Sequence, residues 1–261
     1  MYVRWLKCDF FEQIKENLGL DNHIISKSIE HSPHLCFCVV DEENNFLGFI
    51  CGYEFENNIY VTALFAKNDI VKLKLLKSLI NSAYNKSIQT IIPLDDLELF
   101  CSLGFEKYAD VLGYVSSGRA VAFNFTTNHA KEVNNPNFFQ IAYKLNKKIV
   151  GDDLYEYTSR DMNSSSSLNL STNYGYLHSR ALGKDIIISP FFVEDMNYMD
   201  AEKLLRGVLH YRGLKKLKAY IPDIAEIKEL FESYKFEQKE KLVYVYMGEK
   251  PKIKLDNIYS F

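Results

Sequence analysis

The feature that most constrains this chain is an internal repeat. The stretch "TIIPLDDLELFCSLGFE" (residues 90–106) lies over "AYIPDIAEIKELFESYKFE" (219–237) when the two halves are slid past each other. Pro93 and Pro222 stand 129 residues apart, as do Leu75-Leu76 and Leu204-Leu205. Gly48 in "FLGFI" and Gly175 in "YGYL" are separated by 127, and the pairs Phe100/Phe231 and Phe105/Phe236 by 131. Chance matches would scatter such landmarks, whereas a tandem duplication keeps them at a nearly constant offset. The expected domains are residues 1–118 and 119–261.

Each half shows the same order of elements. In the first, "FFEQIKENLGL" and "HIISKSIE" carry helical spacing, and "LCFCVV" (35–40) reads as a buried strand. "DEENN" (41–45) is a hairpin turn, "FLGFICGYEF" (46–55) the returning strand and "IYVTALFA" (59–66) a central one. An amphipathic helix follows over 71–84, with Leu73, Leu76, Leu79, Ile80 and Ala83 on one face. "IQTIIP" (88–93) is a strand, "LELFCSLGF" a helix that Gly104 ends, and "KYADVLGYVS" (107–116) the closing strand. The second half repeats this from about residue 168: "SLNLS", "YGYLHSRAL", "DIIISPFFV", "DAEKLLRGVLHYR", "KLKAYIP", "IAEIKELFESY" and "KLVYVYMG". "NNPN" (134–137) and "SSSS" (164–167) are loop signals, with a helical opening of the second unit between them. The fold class is α+β: two domains, each a mostly antiparallel mixed sheet flanked by helices.

Composition narrows the function. With 31 Lys and Arg against 34 Asp and Glu, the net charge of −3 is interspersed. That argues against nucleic acid as the partner, because phosphate neutralisation needs a basic face. No apolar run approaches the roughly 20 residues that span a bilayer, and the N-terminal stretch lacks a signal-peptide pattern. Five cysteines, Cys8, Cys36, Cys38, Cys51 and Cys101, are odd in number and fit no zinc or disulfide spacing. They read as buried thiols of a cytoplasmic protein, and no metal site is expected. Exposed aromatics on a duplicated sheet leave a homodimer open.

The order of hairpin, strand, helix, strand, helix ending in "LGF" and strand resembles the GNAT superfamily of N-acyltransferases. "FLGFICGYEF" and "FCSLGFEKY" carry the likeness in the first half, and "NYGYLHSRALGKDIIISPFFVEDMNYMDAEKLL" in the second. The resemblance spans nearly the whole chain, once per half. It implies an acyl-coenzyme A, acetyl-CoA or CoA, bound where the central and following strands splay apart, with the pyrophosphate on amides at the next helix N-terminus. In the first half this maps onto Phe65, Ala66, Lys67, Asn68, Asp69, Ile70, Val71 and Lys72, without the glycines usual in the family. In the second half Glu194, Asp195, Asp200 and Glu202 stand where a phosphate would go, so the cofactor is expected in the first half.

The implied reaction is attack of a small-molecule or peptide amine on the thioester. The family often supplies an acid from a tyrosine, which is Phe100 and Phe231 here, and a phenyl ring has no proton to give. Glu54 and Glu56, at the end of a strand, are candidate bases in the first half, and His178 in the second. Tyr108 and Tyr114 are further hydroxyls near the last strand. Two readings stay open: an acyl-CoA-dependent N-acyltransferase, or a catalytically inactive tandem protein kept for binding or scaffolding.

Overall fold

The computed structural model describes residues 1–14, 22–116, 136–151 and 155–261. The first half contributes β1 (Tyr2–Trp5), α1 (Cys8–Ile14), α2 (Asn22–His31), β2 (Cys36–Val40), β3 (Phe46–Glu54) and β4 (Asn58–Ala66). It continues with α3 (Asp69–Ser82), β5 (Ser87–Pro93), α4 (Leu97–Ser102) and β6 (Glu106–Ser116). The second half contributes α5 (Pro136–Ile149), α6 (Tyr155–Met162), β7 (Leu168–Ser171), β8 (Gly175–Leu182) and β9 (Asp185–Val193). Then come α7 (Tyr198–Arg212), β10 (Lys216–Pro222), α8 (Ala225–Ser233), β11 (Phe236–Met247) and β12 (Ile258–Ser260). The later part of the helix expected from Phe10, the first half of "NNPN" and the expected boundary at 118 lie outside the described residues. Among the described residues no helix is long and apolar enough to cross a membrane.

The chain packs as two compact units, Met1–Tyr108 with Tyr244–Pro251, and Ala109–Val243 with Lys252–Phe261. These units are not simply the two sequence halves, because the closing strands are exchanged. Most of β6 pairs antiparallel with β10 in the second unit, from Val111↔Pro222 to Val115↔Lys218. The end of β11 sits beside β5 in the first unit. There Tyr244 Oη donates to Gln89 Oε1 at 2.6 Å and the Glu249 amide to Ser87 Oγ at 2.7 Å.

Within the first unit β1, β2, β3 and β4 are successive antiparallel neighbours, and β4 and β5 are parallel. Leu6, Phe11, Ile25, Ile29, Cys36, Cys38, Phe49 and Cys51 form one core layer under α1 and α2. Val71, Leu75, Leu76 and Leu79 bury α3. The second unit repeats the plan with β7, β8 and β9 antiparallel and β9–β10 parallel. Its two apolar layers are centred on Phe138 and Tyr176 under α5 and α6, and on Leu204 and Phe231 under α7 and α8. The mixed sheets flanked by helices are those expected from the repeat. Three cysteines, Cys36, Cys38 and Cys51, are buried as expected, whereas Cys8 and Cys101 are exposed. Cys8 opens a short helix, and Cys101 lies next to the buried Phe100, so its side chain turns toward solvent.

Candidate functional site

In the first unit β4 and β5 pair only over Asn58↔Ser87, Ile59↔Ile88 and Tyr60↔Gln89. At the next step Thr90 Oγ1 donates to Val61 O at 3.2 Å, and the strands part into a fork. A bulge in β4 falls at the same place: Gly52 faces Val61 and Cys51 faces Ala63, which leaves Thr62 as the extra residue. Thr62 Oγ1 donates to Cys51 O at 3.1 Å and lies 2.7 Å from Ser28 Oγ on α2. Beyond the bulge, Thr62 to Ala66 are only half-buried. Among the described residues no strand pairs with that edge of β4. An open edge of backbone donors and acceptors receives an extended ligand in the way it would receive a strand.

The strand-to-helix junction above the fork gathers Phe65, Ala66, Lys67, Asn68, Asp69, Ile70, Val71 and Lys72. Gly48 is opposite Ala66, and a Cβ on it would stand 2.5 Å from Phe65 O and 2.9 Å from both Ala66 Cα and Val71 Cγ1. Only glycine lets β3 lie this close beneath the start of α3. Asn68 caps α3 by accepting the Val71 amide at 3.0 Å. Lys72 Nζ is 2.6 Å from Asp96 Oδ1 and 3.8 Å from Asp69 Oδ1. Lys67 donates its amide to Leu47 O at 2.9 Å. Its charge also helps hold the Asp41 carboxyl below its usual range, behind the larger effect of the bonds from Asn45. Lys74 Nζ reaches Met1 O at 3.3 Å. Of the two lysines in this junction, Lys72 has its ammonium held by carboxylates.

The second unit carries the same parts. Strands β9 and β10 pair in parallel from Asp185↔Lys216 to Ile188↔Ala219, then part. The bulge recurs at Ser189 and Pro190, opposite His178. Asn197 caps α7 through the Asp200 amide at 3.2 Å, 129 residues after Asn68. Gly175, opposite Val193, is likewise crowded: a Cβ on it would stand 3.0 Å from Leu204 Cδ1 of α7, Phe192 O and Val193 Cγ2.

This second fork, however, is full. Strand β12 lies antiparallel to β9, with Ile258 against Phe192 and Ser260 against Phe191. Ser260 Oγ donates to Ile188 O at 2.7 Å and accepts the Tyr220 amide at 3.1 Å. The Phe261 amide donates to Tyr220 O at 2.9 Å. Ile188 O is the counterpart of Val61 O, 127 residues on. The bond that Thr90 makes within the first fork is made in the second by a residue of β12, because Ala219 stands where a hydroxyl would be needed. Pro190 to Val193 are accordingly buried.

The acids that follow β9 have structural partners. Lys148 and Lys144 of α5 both bond the Glu194 carboxylate, the second at 3.4 Å, and the Lys148 bond holds that carboxyl below its usual range. Lys203 Nζ is 3.4 Å from Asp200 Oδ1, and Tyr234 Oη donates to Glu202 Oε1 at 2.7 Å.

The candidate bases are dispersed. Glu54 pairs with His34 Nε2 at 3.2 Å and Lys86 Nζ at 3.0 Å. It faces Ile59 at the opposite end of β4 from Ala66, about 23 Å away at the usual strand rise. Glu56 is exposed in the turn between β3 and β4. His178 is 1% exposed, with Nδ1 2.8 Å from Ser189 O and Nε2 3.0 Å from Ser167 Oγ. A carbonyl only accepts, so Nδ1 carries the proton. Burial pushes its pKa down to about 4, so the ring is neutral and structural near pH 7. Phe100 and Phe231 are fully buried, each 5.1 Å edge-on from the phenylalanine after the corner, Phe105 and Phe236. Tyr114 Oη donates to Glu232 Oε1 at 2.7 Å, while the Tyr108 ring packs edge-on against Tyr244 at 5.4 Å. Splayed strands were implied by the resemblance, whereas no residue pattern announced the bulge or β12.

No protein-family model and no curated protein matches the sequence. Solved structures do match. A protein of Pyrococcus horikoshii described as a candidate acetyltransferase superposes with a TM-score of 0.81 at 19% identity, over 100% of this chain and 93% of its own. The chain has the GNAT fold. A GCN5-related N-acetyltransferase from Sphaerobacter thermophilus gives a TM-score of 0.57 at 13% identity, over 94% of this chain and 87% of its own. A tandem GNAT protein from the clavulanic acid biosynthesis pathway gives 0.63 at 9%, over 94% and 97%.

Proposed function

We propose that this chain is an N-acyltransferase that takes an acyl group, acetyl in the simplest case, from acyl-coenzyme A and passes it to an amine of a small molecule or peptide. The cofactor lies in the fork of the first unit, with its phosphates at the junction from Phe65 to Lys72. One observation carries this reading: among the described residues, the first of two equivalent forks has an open strand edge and the second is occupied by β12.

The amine nitrogen attacks the thioester carbonyl, a C–N bond forms, the C–S bond breaks and the thiolate leaves with coenzyme A. The proton released from the nitrogen goes to water or to the thiolate. Past the Thr62 bulge, the backbone amides on the unpaired edge of β4 would be the donors to the thioester oxygen; such fixed donors are a strong form of catalysis. Phe100 supplies no acid, and a thiolate is a good enough leaving group to depart without one. Glu54 and His178 take no step, since Glu54 is held by Lys86 and His34 beside the far end of β4 and His178 is buried and neutral.

A second reading, binding without transfer, is favoured by the ion pair between Lys72 and Asp96 and by the missing glycines, which weaken the anion site. The two are separated by incubating the full chain with labelled acetyl-CoA and pools of amines, and by measuring melting with acetyl-CoA present. Transfer abolished by Lys72→Glu supports the enzyme. A melting shift without transfer supports the binder, and neither effect overturns both.

A further inference from the structure

We propose that the fork of the second unit is a strand-binding site, whose ligand is an extended peptide, and that Ile258–Phe261 is that ligand supplied by the chain itself. The segment is held as a ligand is held. Its backbone pairs with the open edge of β9, and the Phe261 amide reaches Tyr220 O of β10 at 2.9 Å. Its side chains alternate between the two faces of the sheet. Ile258 enters the apolar layer under α5 with Tyr176 and Phe192. Tyr259 enters the opposite layer, with its ring 5.2 Å from Phe191.

Ser260 supplies the most specific contact. Its hydroxyl sits at the apex of the fork, where the last β9–β10 pair ends. There it satisfies one buried acceptor, Ile188 O, and one partly buried donor, the Tyr220 amide. The ligand class is therefore an extended peptide with an aliphatic residue, an aromatic residue and a small hydroxyl residue in succession. A thioester cofactor finds this fork closed on both strands. The consequence that the chain binds one cofactor and not two rests on the function proposed above; the strand-binding site does not.

The test uses the full chain with a protease site inserted between Pro251 and Lys252, cut after folding, and a fluorescent peptide of residues 252–261. The nicked protein is expected to exchange its own segment for the labelled peptide, and the uncut chain to take none. A peptide with Tyr259→Ala and Ser260→Ala is expected to compete poorly. Absence of labelled peptide on the nicked protein, or equal uptake by the uncut chain, overturns the proposal. Independently, Ser260→Ala in the uncut chain should speed hydrogen exchange at the Tyr220 amide about tenfold, roughly what loss of a buried hydrogen-bond partner is worth. An unchanged rate there also overturns it. Neither readout involves a cofactor, so failure of the enzymatic reading leaves both intact.

Discussion

Lowering the pH from about 7.5 to about 4.5 should loosen the second unit through one side chain, His178. In the unfolded chain its imidazole protonates near 6.5, while in the fold burial pushes that down to about 4. Between those two values the unfolded state binds a proton that the folded state refuses. Stability is therefore full above pH 6.5, falls as the pH drops, and levels off below about 4. Each pH unit in that window costs about 1.4 kcal/mol, so the full interval removes about 3 kcal/mol. The ring is 1% exposed, so solvent does little to screen this penalty. The comparison is with His178→Asn, which keeps a donor toward Ser189 O and does not titrate. The one tryptophan, Trp5, lies in β1 of the first unit, so its fluorescence is a poor reporter. Hydrogen exchange of β8 and β9 amides, corrected for the intrinsic pH dependence, reads the second unit directly. Wild type should lose about 3 kcal/mol more protection than His178→Asn across the window. Parallel pH slopes for the two proteins would refute the reasoning.

Three further outcomes follow from the first unit. Gly48→Ala forces a Cβ against Phe65 O and Ala66 Cα, backbone atoms that must move, so denaturant unfolding should show a loss of about 1–3 kcal/mol. Asp96→Asn removes the carboxylate 2.6 Å from Lys72 and frees that ammonium for a phosphate; calorimetry should show acetyl-CoA binding several-fold tighter, and weaker binding would place the phosphates elsewhere. Glu54→Gln should leave the rate of acyl transfer unchanged within about twofold, since the carboxylate is far along β4 from the junction; a loss of a hundredfold would make it the base.

Much of the fold was legible because both kinds of period are strong in this chain. The constant offset near 129 fixed the duplication, and the landmarks proved to have physical roles: Gly48 and Gly175 clear the approach of a helix, and Phe100 and Phe231 seal a helix corner. The exchange of closing strands was not legible. Both β6 and β11 open on largely polar residues and close on an apolar run, and a strand's own pattern does not say which edge it joins. Strand β12 was missed because three residues, Ile258–Ser260, show no period, and "PKIKLDN" before them reads as loop. At the strand-to-helix junction, the run from Phe65 to Lys72 is continuous in sequence, but the Lys72–Asp96 pair joins residues 24 apart through the fold. His178 looked like a titrating group because its alternation shows a face of the sheet, not that Ser167 and Ser189 close over the ring.

The central claim is that one fork of the two receives an acyl-coenzyme A. Hydrogen exchange of the full chain with and without saturating acetyl-CoA tests it most directly, because it reads both forks in one experiment. Slower exchange across Thr62 to Lys72, with Ser189 to Asp200 unchanged, is the predicted result. Protection in the second fork, or no protection in either, would contradict it.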